Sequence, residues 1–118
     1  MVNSYQATAT DDITTTSDTD VRATGMVLTP PKGTYLVWFS GSATVQNAPN
    51  IFLSIYSNNT QVASSEQPLV KDAPFACVAK VTVNGTQTIE GRWRTGDGIM
   101  ETMSKRNLTI MEVATDID

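Results

Sequence analysis

Histidine is absent from this chain of 118 residues, and cysteine occurs once. Those two shortages exclude Ser-His-Asp and Cys-His catalysis, His-bearing zinc sites and any intrachain disulfide. Charge is also scarce, at 17% of residues, and its balance is acidic, with a net charge of −4. An acidic surface repels phosphate backbones, so nucleic acid is not an expected partner. No apolar run approaches the roughly 20 residues of a membrane helix, and no membrane association is expected. The opening "MVNSYQATAT" lacks both a basic region and an apolar core, so no signal peptide is expected and the chain reads as made in the cytoplasm. With no ligand set and no phosphate loop, the expectation is an unassisted fold without cofactors or metals.

What the chain does have is threonine and aliphatic side chains in short runs. "TATDDITTTSDTD" (Thr8–Asp20) is dominated by residues that favour extended backbone and disfavour helix. Runs of four to eight β-prone residues recur, each closed by Gly, Pro, Asn or Asp. The pattern predicts an extended segment around Tyr5–Thr10 and a weak strand at Asp12–Thr16. Further strands follow near Asp20–Leu28, Thr34–Ala43, Asn50–Ser57, Gln61–Gln67, Phe75–Val83, Thr86–Arg94, Ile99–Met103 and Asn107–Val113. Even spacing with short turns signals an all-β sandwich or barrel. "VTVNGTQTI" (Val81–Ile89) sets Asn-Gly between two β-runs and predicts a type I′ hairpin, since that turn needs φ > 0 twice. "SNNT" (Ser57–Thr60) is the weaker hairpin signal, and "SKR" (Ser104–Arg106) reads as a break.

Three strands carry apolar residues on both faces. In "YLVWFS" (Tyr35–Ser40), Tyr35, Val37 and Phe39 oppose Leu36 and Trp38. In "IFLSIYS" (Ile51–Ser57), Ile51, Leu53 and Ile55 oppose Phe52 and Tyr56. In "NLTIMEV" (Asn107–Val113), Leu108 and Ile110 oppose Met111 and Val113. Loops or the N-terminal segment could cover the second faces. That segment is polar and poor in aromatics, whereas a soluble monomer rarely exposes an apolar patch beyond about 300–600 Å². Burial between subunits, at roughly 25 cal/mol per Å², is the favoured reading. Trp38, Phe52, Tyr56 and Met111 are the candidate interface residues.

"TIEGRWR" (Thr88–Arg94) alternates cleanly, with Ile89, Gly91 and Trp93 inward and Glu90, Arg92 and Arg94 outward. A catalytic Glu90 flanked by arginine is imaginable, but salt bridging explains the row more simply. The lone Cys77 shares a side with Phe75, Ala79 and Val81 and reads as a small buried residue. "GDG" (Gly96–Gly98) lacks the further positions of a calcium loop or a P-loop and reads as a tight turn. Asn-x-Thr at Asn58, Asn84 and Asn107 is coincidence in a Thr-rich chain. The carboxylates Asp11–Asp12 and Asp116–Asp118 flank the chain ends, where a formed acid/base pocket is not expected. No residue emerges as catalytic, and the chain reads as a non-enzyme.

Two stretches carry a resemblance. "TSDTDVRATGMVLTPPKGTYLVWFSGS" (Thr16–Ser42) resembles a pattern in small phage virion proteins with a tumour necrosis factor-like jelly roll. "GTQTIEGRWRTGDG" (Gly85–Gly98) followed by "KRNLTIMEV" (Lys105–Val113) is similar to the last two long strands of that family. The resemblance implies a single-domain jelly-roll β-sandwich over residues 20–118, preceded by an extended arm or edge strands over residues 1–19. It also implies a homotrimer, with large apolar residues of one sheet facing the threefold axis. Family members decorate capsids or form the heads of tail fibres. Because only about twenty residues precede the matched region, a capsid decoration (cement) protein on the virion surface is the expected role, with the major capsid protein as partner. A receptor-binding head is the alternative, though the loops "TPPKG", "QNAPN", "VKDAP" and "TGDG" offer no aromatic side chains for glycan stacking. Tyr5, Thr10 and Ile13 mark the arm expected to contact the capsid. The other reading makes Tyr5, Ala7 and Ala9 the first strand of the jelly roll itself.

Overall fold

The computed structural model describes residues 3–44, 51–69 and 76–113. Ten strands make up its regular structure, and none of the described residues is helical. They are β1 (Ser4–Ala9), β2 (Ile13–Thr15), β3 (Val21–Leu28), β4 (Gly33–Thr44), β5 (Ile51–Ser57), β6 (Thr60–Gln61), β7 (Gln67–Leu69), β8 (Ala76–Val83), β9 (Ile89–Thr95) and β10 (Glu101–Glu112). They form two antiparallel sheets. One runs β1-β10-β4-β8, with β2 also on β10; the other runs β3-β9-β5-β6, with β7 also on β5. The fold is therefore all-β with two packed sheets, as the strand pattern predicts, and agrees with the jelly roll that the resemblance implies. The expected loops "QNAPN" and "VKDAP" and the carboxylates Asp116 and Asp118 lie outside the described residues.

Alternation decides what fills the space between the sheets. Tyr35, Val37 and Phe39 of β4, Ile51, Leu53 and Ile55 of β5, Ile89 and Trp93 of β9, and Leu108 and Ile110 of β10 are buried there. Cys77 joins them, and burial pushes its thiol up to about 12, so it stays protonated and inert. Gly91 leaves room for the Phe39 ring: a Cβ at that position would lie 2.5 Å from two ring carbons.

Three expectations need correction, and each has a physical cause. The break at Ser104–Arg106 is a bulge inside one long strand. Met103 faces Ala43 and Arg106 faces Gly41, so two β10 residues stand opposite Ser42 alone. The extra residue reverses the alternation, turning Met103 and Leu108 inward despite their odd and even positions. Second, Asn84-Gly85 does not close a hairpin, because β8 pairs with β4 in one sheet and β9 with β3 and β5 in the other. Asn84 instead accepts hydrogen bonds from the backbone N–H (2.9 Å) and hydroxyl (2.8 Å) of Thr86, a side-chain turn that carries the chain between sheets. The paired hairpin is at Asn58-Asn59, whose φ angles of 53° and 62° suit the type I′ turn joining β5 to β6. Third, Gln61–Gln67 is not one strand. The Ser65 hydroxyl is buried and bonds Ile55, donating to its carbonyl (3.2 Å) and accepting from its N–H (3.1 Å), so a side chain replaces the strand ladder.

Of the two readings open for the N-terminus, arm or edge strands, the structure shows strands. β1 pairs with β10 over six residues from Ser4 to Ala9, and β2 pairs with β10 over three. Tyr5, Ala7, Ala9 and Ile13 pack against the core, and the Tyr5 ring meets Tyr35 edge-on at 6.3 Å. Tyr5, Ala7 and Ala9 thus form the first strand of the jelly roll. Arg106 pins this arrangement: its buried guanidinium donates to the carbonyls of Thr24 (2.9 Å), Asp11 (2.6 Å) and Ser104 (2.8 Å) and to the Asp11 carboxylate (2.9 Å).

Candidate functional site

The two outer faces of the sandwich differ in chemistry, and the register of the strands explains how. On the β1-β10-β4-β8 sheet, Met111 stands opposite Leu36 and Trp38 opposite Val78. Leu36 and Trp38 are two apart on β4, so the four side chains share one outward surface. Leu36, Met111 and Val78 are 37%, 42% and 53% exposed, and Trp38 is half-buried. Around them lie Gln6, Thr109 and Lys80 at neighbouring register positions. Three adjacent strands thus present an apolar surface edged by polar side chains.

The β3-β9-β5 sheet shows Phe52 and Tyr56 on its outer face, and here the chain covers them itself. The Arg92 guanidinium lies 4.1 Å above the Tyr56 ring, and that of Arg94 lies 4.1 Å above the Phe52 ring. Such stacking stabilises both groups by about 0.5–2 kcal/mol each, according to their burial. Carboxylates hold the arginines in place. Arg92 donates from Nε to Glu90 (3.0 Å) and from Nη2 to the Asn59 side-chain oxygen (2.8 Å), while Arg94 donates from Nε to Glu66 (3.0 Å). Arg22 forks onto both Glu90 oxygens at 3.1 Å. Tyr56 donates its hydroxyl to Asp20 at 2.6 Å; burial and that bond push its pKa up to about 12. Ser54, between the two aromatics on β5, is fully buried beneath this layer.

Glu90 is the most enclosed carboxylate of the layer. Burial alone would raise its pKa, but the hydrogen bonds and charges of Arg22 and Arg92 outweigh it and hold the carboxyl below its ordinary value. With Thr88 also donating to it at 3.2 Å, Glu90 has no lone pair placed to take a proton from a substrate. The row is a salt-bridge and stacking layer.

The four candidate interface residues therefore fall in two places. Trp38 and Met111 share the apolar outer face of one sheet, while Phe52 and Tyr56 lie on the opposite side of the sandwich under arginine. Of the candidate arm residues, Tyr5 and Ile13 turn inward and Thr10 is exposed between β1 and β2. Sequence reasoning missed Val78, Ile99 and Met100. Val78 is outward on β8 by simple alternation from the buried Cys77. Ile99 and Met100 read as the start of a strand, yet they lie in the β9–β10 loop, 58% and 62% exposed. The signal was there in "GDGIM", two large apolar residues directly after a glycine-bounded turn.

No family model matches this chain, and no curated protein matches it. Solved structures match the fold over nearly its whole length. The chain is similar to the tumour necrosis factor Eiger of S. frugiperda (TM-score 0.56, 14% identity, 98% of this chain and 96% of that one). It is similar to a subunit from Bacillus endospore appendages, described as disulfide-linked pili (TM-score 0.55, 16% identity, 98% and 92%). It is also similar to a CBM36 domain of a xylanase from the hindgut metagenome of Trinervitermes trinervoides (TM-score 0.53, 13% identity, 98% and 100%). At these identities the likeness establishes the fold: a tumour necrosis factor-like jelly roll.

Proposed function

We propose that this chain is a non-enzymatic capsid decoration protein of a phage, assembling as a homotrimer on the outer surface of the shell. The observation that carries the reading is the outer face of the β1-β10-β4-β8 sheet. Leu36, Trp38, Val78 and Met111 form one apolar surface there, whereas the opposite face has its own arginine cover. Sister copies suit that surface, because burying a few hundred Å² of it per copy at about 25 cal/mol per Å² stabilises an assembly by several kcal/mol. Resemblance of Thr16–Ser42 and Gly85–Val113 to small phage virion proteins supplies the threefold arrangement and the setting. A pilus subunit among the similar folds is a precedent for this jelly roll serving assembly instead of chemistry. A protein that binds only the assembled shell stabilises it by mass action, with no reaction to perform. Major capsid protein is then the partner, and the virion surface the location. Electron microscopy of purified virions tests the reading: three-lobed density on the shell is expected, and density confined to the tail tip would favour a receptor-binding head instead.

A further inference from the structure

At one end of the sandwich the β9–β10 loop lies beside the β2–β3 loop. Ile99 and Met100 are the two most exposed large apolar side chains among the described residues. Their loop is fixed in shape. Gly98 takes a φ of +77° and donates its N–H to the Thr95 hydroxyl at 2.8 Å, and the Ile99 N–H binds the Asp97 carboxylate at 3.0 Å. The Thr95 N–H in turn binds the Ser17 carbonyl at 2.7 Å, tying the two loops together. A pair of apolar side chains held out by a preorganised loop loses little entropy when it docks.

The charges around the pair narrow the partner. Residues 16–20 and 96–101 contain Asp18, Asp20, Asp97 and Glu101 and no Lys or Arg. Asp20 is engaged by Tyr56 and paired with Arg94 at 3.8 Å, and Glu101 is buried, so the exposed charge beside the tip is that of Asp18 and Asp97. An apolar tip in an acidic setting is repelled by anionic lipid and by nucleic acid, and it is complementary to an apolar pocket with a basic rim. The tip is also separate from the Leu36–Trp38–Val78–Met111 surface, which lies on the flat of a sheet.

We infer that the Ile99–Met100 tip is the docking point on the capsid: it inserts into an apolar pocket of the shell protein rimmed by Lys or Arg. The inference rests on the decoration reading above. The test uses the full chain and shells of the phage that encodes it, stripped of this protein. The Ile99→Ser/Met100→Ser variant is expected to sediment as the unaltered protein does, yet to bind shells at least about tenfold more weakly. Asp97→Asn keeps the acceptor for the Ile99 N–H and removes the charge, so it is expected to weaken binding and flatten its salt dependence. Equal shell binding by the double variant overturns the inference alone. Loss of self-association in that variant would place the tip between copies and overturns it too. If the unaltered protein binds no shells, the decoration reading falls and this inference with it. Binding to phosphatidylcholine vesicles that the double variant loses would assign the tip to lipid, again overturning it.

Discussion

Glu90 and Glu101 are both buried carboxylates, and their surroundings drive them in opposite directions. Hydrogen bonds from Arg22 and Arg92 overcome the effect of burial at Glu90 and hold it below the ordinary value. At Glu101 burial, helped by the nearby Asp97 charge, raises it. A depressed Glu90 contributes stability that is complete above the ordinary glutamate value of about 4.3 and is lost as pH falls through its folded value. A raised Glu101 does the reverse, since the native state then holds the proton more tightly and stability declines as pH rises through its folded value. Glu90→Gln should therefore lower stability at pH 7 and blunt the loss on acidification. The cost should lie near the lower end of about 1–3 kcal/mol, because Arg22 is half-exposed and its share is screened by water. Glu101→Gln should be neutral or stabilising at pH 7. Urea midpoints measured from pH 3 to pH 8 would separate them; the same pH profile for both variants would refute this account.

Which elements could be read from sequence depended on whether their alternation stayed in phase. β4, β5 and β9 keep one phase throughout, and their inward rows Tyr35-Val37-Phe39, Ile51-Leu53-Ile55 and Ile89-Gly91-Trp93 were legible. β10 changes phase at its bulge, so Met103 and Leu108 seemed to belong to different strands when they share one. Of the two Asn turns, the stronger dipeptide signal belongs to the one that closes no hairpin, because such a signal reports local geometry and cannot say which sheet the next strand joins. At the candidate site, Leu36, Trp38, Phe52, Tyr56 and Met111 are legible as second-face residues, whereas Val78 is not. Nor is the arginine cover of Phe52 and Tyr56, since it depends on the β5–β9 register that sets Phe52 opposite Arg94. The composition of the N-terminal segment suits both an arm and a strand. In the structure the segment buries Tyr5, Ala7, Ala9 and Ile13 and supplies Asp11 to the Arg106 guanidinium. A chain starting at Thr19 would uncover the edge of β10 and leave Arg106 without two of its acceptors. Its melting temperature should fall by more than about 8 °C, given roughly 4–8 °C per kcal/mol in a domain of this size. A change within about 2 °C on calorimetry would show that the segment is a detachable arm.

Across the molecule the described apolar side chains are shared unevenly: arginines stack over one outer face, and among the described residues none covers the other. That asymmetry makes the oligomeric state a test of which face is used. Trp38 stands on the bare face, outside the core that Val37 and Phe39 fill from the same strand. Trp38→Glu would place a charge in the middle of any surface buried there while leaving the inward row intact. An unpaired charge in a desolvated interface costs several kcal/mol, enough to undo an assembly held by a few hundred Å² per copy. The unaltered chain should sediment as a trimer at micromolar concentration, and Trp38→Glu as a folded monomer with unchanged β-sheet circular dichroism. Tyr56→Ser is the informative partner. Its ring lies beneath Arg92 on the opposite sheet, so that variant should lose some stability yet remain trimeric. If Tyr56→Ser dissociates the assembly and Trp38→Glu does not, the copies meet through the arginine-covered face and the bare face has another use.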